Sequence, residues 1–284
     1  MNHETPSFLL DGGALEWDAM GYRFAEPPGV DLLAASTLAD GNPWIVFAAA
    51  LERAKQGRFD GLPVLLRAMR SFKDDVFWRY CAELVGDAGS SVLLKVFVRD
   101  FRDELLDAGE PAYQVELAHA FQQSMRLWTV PLTLKMYLDS GKREQTGVLS
   151  VFLSRLMEPE LGPIGVAALP DAEYRELVMA KYEELKVAHG SDEAAVLHGE
   201  AFSVRALARH LHAGLSAPEI DEDEIMFERH LFEAATGIDC SAFFDDGDLQ
   251  PLNAMAIVEE FLEDKTDGLY AQAVRCFWGR GLPD

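Results

Sequence analysis

Asp74-Asp75-Val76-Phe77-Trp78-Arg79-Tyr80-Cys81-Ala82-Glu83-Leu84-Val85-Gly86 is the stretch on which the fold turns. Phe77, Tyr80, Cys81 and Leu84 fall at i, i+3, i+4 and i+7, one face of an α-helix. Asp74 stands where a carboxylate would accept a first-turn backbone N–H, and Gly86 supplies a left-handed stop. The same grammar extends in both directions. Upstream, Pro43 suits a first helical position and Gly57 a helix end. Downstream, Ser90 caps a helix presenting Leu93, Leu94, Phe97, Val98 and Phe101; Tyr113, Leu117, Phe121 and Trp128 form the stripe of a later one, and Leu149, Phe152, Leu153 and Leu156 that of another.

Past position 170 the pattern continues. Asp171 opens a helix with Tyr174, Leu177, Val178 and Leu185 inside. The 202–215 segment turns Val204, Leu207, Ala208 and Leu211 inward and Arg205, Arg209 and His212 outward. Pro251 begins a helix carrying Met255, Val258, Phe261 and Leu262. Period-two strand patterns are scarce, and the strand signal is confined to 8–24, an irregular or short-strand cap closed by Pro27, Pro28 and Gly29. The expectation is an all-α protein.

Leu94-Lys95-Val96-Phe97 recurs as Leu134-Lys135-Met136-Tyr137, forty positions on, the period of HEAT-like helical pairs. The architecture is therefore a short HEAT-like α-solenoid or an irregular helical bundle. Gly162, Pro163, Gly165 and Pro170 break any helix at 161–170. The division is a small N-terminal cap at 1–41, a helical-repeat-like region at 42–160, and a C-terminal helical region at 161–284 packed on it.

Charge bounds the function. The chain carries 25 Lys and Arg against 48 Asp and Glu, a net charge of −23. Such a surface repels nucleic acid and anionic membrane and steers basic proteins toward it. The chain opens with no signal-peptide pattern and holds no apolar run of about 18 residues, so no membrane partner is expected. Cys81, Cys240 and Cys276 are too few and too scattered for a disulfide framework, which fits a reducing, cytoplasmic setting.

No catalytic, cofactor or metal constellation is present. HExxH, GxSxG, GxxxxGK and GxGxxG are all missing, and His210 and His212, two apart, point to different sides of a helix. His119, beside Gln122 and Gln123, reads as part of a solvated polar face. Cys81 reads as an inert core thiol. Asp245, Asp246 and Asp248 around Gly247 lack EF-hand spacing and read as a solvated turn, with Asp248 a cap for the helix at Pro251. The expectation is a protein that is not an enzyme.

The densest charge is Glu219-Ile220-Asp221-Glu222-Asp223-Glu224. It is either a solvated helix start, where carboxylates suit the macrodipole, or an acidic lip for a basic partner. Arg205, Arg209 and His212 are positioned to neutralise it internally. Asp74, Asp75, Asp87, Asp100, Asp103, Glu104 and Asp107 present the same choice at helix ends of the repeat-like region, where they would line one edge.

Three C-terminal segments carry a family likeness: Phe232-Glu233-Ala234-Ala235-Thr236-Gly237-Ile238-Asp239-Cys240, then Ala256-Ile257-Val258-Glu259-Glu260-Phe261-Leu262, and Arg275-Cys276-Phe277-Trp278-Gly279-Arg280-Gly281-Leu282-Pro283. With Gly57-Arg58-Phe59-Asp60 and the Trp78 helix, the chain from about Trp44 onward resembles an immunity-protein family of bacterial polymorphic toxin systems. The resemblance implies a cytoplasmic protein that binds and neutralises a cognate toxin domain, with no active-site residues to transfer. Thr236, Gly237, Trp278 and Arg280 read as structural. A nucleic-acid-attacking toxin must itself be basic, which agrees with the charge. Two rival classes remain: a helical-repeat scaffold or adaptor for another basic protein, and a hydrolase or transferase using a pair such as Glu259 and Glu260, which however face different sides of one helix.

Overall fold

The computed structural model describes residues 5–9, 22–24, 26–106, 111–140, 147–158, 169–264 and 268–283. Along these residues the chain forms α1 (Pro43–Lys55), α2 (Leu62–Ser71), α3 (Asp75–Ala88), α4 (Ser91–Asp100), α5 (Arg102–Leu106), α6 (Pro111–Ser124), α7 (Val130–Asp139), α8 (Gly147–Leu156) and α9 (Asp171–Ala188). The hairpin β1 (Val196–Leu197) and β2 (Glu200–Ala201) follows, then α10 (Val204–Leu215) and α11 (Glu222–Thr236). A hairpin of β3 (Phe244–Asp245) and β4 (Asp248–Leu249), α12 (Pro251–Glu263), and a last hairpin of β5 (Cys276–Phe277) and β6 (Arg280–Gly281) complete it. The fold is all-α, and the strands are two residues each.

The caps expected at Asp74 and Ser90 are present, and the structure adds two more at Asn42 and Ser203. Asn42 accepts from Trp44 N ahead of Pro43, Asp74 from Phe77 N at 2.9 Å, Ser90 from Leu93 N at 3.2 Å, and Ser203 from Ala206 N at 3.1 Å. Three readings are corrected. Gly86 is not a stop: α3 continues to Ala88, and the glycine lets α6 approach. On α9 the buried stripe is Tyr174, Val178, Tyr182 and Leu185, and Leu177 is exposed, because Tyr182 completes the i, i+4, i+8 line that α9 needs. Gln250, not Asp248, precedes α12 as its N-cap; Asp248 pairs with Asp245 in β4.

The residues group into two compact units, 1–72 with 203–283 and 73–202. This grouping is not the linear division read from the sequence. Of the expected joint at 161–170 only 169–170 is described, and of the cap at 8–24 only 8–9 and 22–24.

In the 73–202 unit, α3 and α6 dock side by side and parallel. Trp78 meets Tyr113 at a tilt with centroids 5.0 Å apart, Glu83 faces His119, and a Cβ at Gly86 would lie 2.7 Å from Ala120 O. His119 in turn meets Phe152 of α8, and Tyr137 of α7 meets Tyr174 of α9. The Lys95 and Lys135 echo falls on α4 and α7, the helices that follow α3 and α6. In the other unit, α1 packs on α2, and α10 lies against both α11 and α12. Phe232 of α11 meets Phe261 of α12 edge to face at 4.9 Å.

The hairpins correct the expectation that strand signal is confined to the start. Each turns on two left-handed residues, His198-Gly199, Asp246-Gly247 and Trp278-Gly279, the φ > 0 pair that a tight two-residue turn requires. Two of them finish helices. His198 N and Gly199 N donate to Arg155 O and Leu156 O at the end of α8, at 2.7 and 3.0 Å. Trp278 N and Gly279 N donate to Ala234 O and Ala235 O at the end of α11, at 2.7 and 2.8 Å. The last carbonyls of a helix have no partner inside it, and these turns supply one.

Candidate functional site

The run at 219–224 sits where α11 starts. Asp221 is the N-cap: its Oδ1 accepts from Glu224 N at 3.1 Å, and Glu222, Asp223 and Glu224 fill the first turn, next to the positive end of the helix dipole. Glu219, Asp221, Glu222 and Asp223 are exposed and Glu224 is half-buried. The neighbouring cations mostly serve other elements. Arg205 donates to Leu262 O at 3.1 Å and to Asp264 O beyond the end of α12, and His212 meets Glu259 of α12 at 3.0 Å. Glu219, Asp221, Glu222 and Asp223 thus crowd four exposed carboxylates around one helix start.

The second group does not hold together as one edge. Asp75 and Asp103 are exposed, and Asp74 is half-buried as the cap of α3. Asp100 pairs with Arg99 at 2.9 Å and Glu104 with Lys73 at 3.5 Å. Asp87 is only 4% exposed inside α3, because the helix runs past Gly86 and carries Asp87 into the packed region. Asp107 lies outside the described residues.

The polar-face reading of α6 is corrected. Gln122 and Gln123 are 3% and 6% exposed, because α6 is flanked by both α3 and α8. His119 Nδ1 lies 3.7 Å from the Glu83 carboxylate, which Arg79 Nε holds at 3.0 Å. Burial raises the pKa of Glu116, with Arg79 opposing. The sequence sign that was available is Gly86 itself, a glycine inside a helix, which marks a close approach.

His210 meets Glu228 at 2.5 Å on α11 and His212 meets Glu259 on α12, so the two histidines do diverge. Within either unit taken by itself, the described residues bring no three His, Cys, Asp or Glu donors within metal-binding reach of one another. All three cysteines are buried, and burial raises the thiol pKa of Cys81 and Cys240. No described helix is long and apolar enough to cross a membrane.

Sequence reading missed a cluster at the far end of α11. Glu233, with 1% of its side chain exposed, accepts from Arg23 Nε and Arg229 Nη2, both at 3.2 Å. Burial raises the Glu233 pKa, while Arg229 and Arg23 oppose the rise. Arg23 comes from 210 residues away, and no local pattern announces a partnership at that separation. Lys55 lies over the Trp278 ring at 4.4 Å and the Phe24 ring at 4.8 Å and pairs with Glu52 at 2.6 Å. Burial lowers its pKa, with Glu52 opposing.

Comparison of the chain with protein-family models, curated proteins and solved structures returns no match.

Proposed function

We propose that this protein is a non-enzymatic immunity protein, cytoplasmic, that binds and neutralises a cognate bacterial toxin domain, and that the toxin is basic. The carrying observation is the row of exposed carboxylates Glu219, Asp221, Glu222 and Asp223 at the start of α11, on a chain of net charge −23. Their crowding costs self-repulsion in the free protein, which a cation-rich surface relieves on docking. Asp75 and Asp103 offer a smaller second patch, with Asp74, Asp100 and Glu104 partly committed to caps and pairs. The resemblance in 232–240, 256–262 and 275–283 supports the toxin assignment, and three buried free thiols support a reducing compartment.

A second reading has its own observation. The parallel docking of α3 on α6, with the Leu-Lys echo on the helices that follow them, supports a HEAT-like repeat, and a repeat scaffold or adaptor binding another basic protein would use the same acidic surface. A large secreted-toxin gene immediately upstream separates the two and supplies the partner.

The decisive measurement is the association rate with that domain. Asp221→Asn, Glu222→Gln, Asp223→Asn and Glu224→Gln together are expected to slow association by roughly tenfold or more, and added salt to slow the wild type likewise. Asparagine caps a helix about as well as aspartate, and relieved self-repulsion offsets the lost attraction to the helix dipole, so the thermal midpoint of the variant should change little. A rate indifferent both to salt and to neutralising each patch in turn would assign recognition to an apolar face instead.

A further inference from the structure

The cluster at the C-terminal end of α11 has the composition of a receptor for a guanidinium group. Arg23 Nη2 donates to Gly237 O at 2.7 Å, and its Nε donates to Glu233 Oε1 at 3.2 Å, with Asp239 Oδ1 3.8 Å away. Its guanidinium carbon lies 5.2 Å from the centroid of the Trp278 ring. A buried carboxylate, a carbonyl at the negative end of a helix dipole and an indole face each favour a planar cation, and together they fix its plane.

The walls do not depend on Arg23. The β5–β6 turn is held to α11 by Trp278 N and Gly279 N. Gly237 is left-handed at φ +75, and a Cβ there would lie 3.0 Å from the Trp278 ring, so helix end and indole are in contact. Arg229 holds the other oxygen of Glu233, and Lys55 lies on the Trp278 ring. The Arg280 stem packs 3.6 Å from the Cβ position of Gly57 at the end of α1. Arg23 is the component reachable from outside, with 32% of its side chain exposed against 1% for Glu233 and 4% for Arg229. It is flanked by Tyr22, which meets Phe277 and His230, and by Phe24, which meets Phe8.

We propose that Glu233, the Gly237 carbonyl and Trp278 form a guanidinium socket, filled in the free protein by the chain's own Arg23 and open to exchange with an arginine side chain of a partner. The link to a partner rests on the proposed binding of a basic protein; the socket itself does not. An arginine presented by a docked protein would meet the same three groups, and Arg23 would then turn to water, already a third exposed. Lysine, a compact point charge without the planar fork, is a poorer occupant.

Chemical rescue in the full-length chain tests this without any partner. Arg23→Ala should lower the thermal midpoint, and millimolar methylguanidinium should restore it in a saturable way while methylammonium does not. Arg23→Ala combined with Glu233→Gln should not be rescued. Absence of rescue, or equal rescue by methylammonium, overturns the socket. If Arg23→Ala does not fold, the wild type gives the answer through amide hydrogen exchange. N-acetyl-arginine amide, at roughly the tens of millimolar needed to compete with a tethered group, should speed exchange at 22–24 and leave α1 and α2 unchanged, whereas unchanged exchange at 22–24 overturns the proposal. Failure here leaves the salt dependence of the acidic surface standing, and loss of that salt dependence leaves the rescue standing.

Discussion

Gly86 shows how one residue can carry a packing decision that helix propensity opposes. Mid-helix glycine costs about 1 kcal/mol relative to alanine, yet a Cβ here would lie 2.6 Å from Gln123 Cβ and 2.7 Å from Ala120 O. The second neighbour is backbone and cannot swing away. Gly86→Ala should therefore destabilise the protein by about 1–3 kcal/mol, the usual range for overpacking, seen as a lower urea midpoint. A higher midpoint would mean that propensity outweighs the α3–α6 contact. Glu116, on the same interface, gives a pH signature. Burial raises its folded pKa, so the folded state binds its proton more tightly than the unfolded state does. That contribution is present at low pH and is lost as pH rises through the folded pKa, leaving an ionised group that the fold disfavours. Glu116→Gln should raise the urea midpoint at neutral pH, and the gap from wild type should close as the pH is lowered toward 4. A gap that widens on acidification would mean that Arg79 outweighs burial.

At the scale of the element, helix ends set by a local residue were legible, as at Asp74, Ser90 and Gly57, and those completed from far along the chain were not. Asn42, Asp74, Ser90 and Ser203 cap as their side chains dictate, since the acceptor and the N–H it serves lie within three residues. Asp74→Ala should cost about 1 kcal/mol and Asp74→Asn only a fraction of it, the contrast expected of a cap and not of a charge; equal losses would point to charge. The ends of α8 and α11 are completed by turns more than 40 residues along the chain, His198-Gly199 and Trp278-Gly279. Asp-Gly at 246–247 is a local hairpin signal, and the solvated turn expected there is the tip of the β3–β4 hairpin. On α9, Tyr182 rather than Leu177 joins the buried stripe, a choice among apolar residues on adjoining lines that periodicity leaves open.

For the molecule as a whole, net charge −23 sets up two opposite salt responses. Self-repulsion among carboxylates opposes the compact state, so raising NaCl from low ionic strength to about 0.5 M, where the Debye length falls to a few ångströms, should raise the thermal midpoint even as it slows association with the proposed basic partner. A midpoint that falls with salt would mean that the ion pairs outweigh the excess acid. The sequence by itself determined the all-α class, several helix starts, the Cys81 core thiol, the divergence of His210 and His212, and the acidity of the chain, because each follows from local spacing or from composition. Only the tertiary structure decided that Asp87, Gln122 and Gln123 are inside and that Arg23 reaches Glu233. It also decided that residues 203–283 group with 1–72, and that the described residues form hairpins at 196–201 and 276–281 that complete the ends of α8 and α11. Those outcomes depend on which helices meet, and a side chain's burial is set by its neighbour across the interface, which the spacing along one helix does not specify.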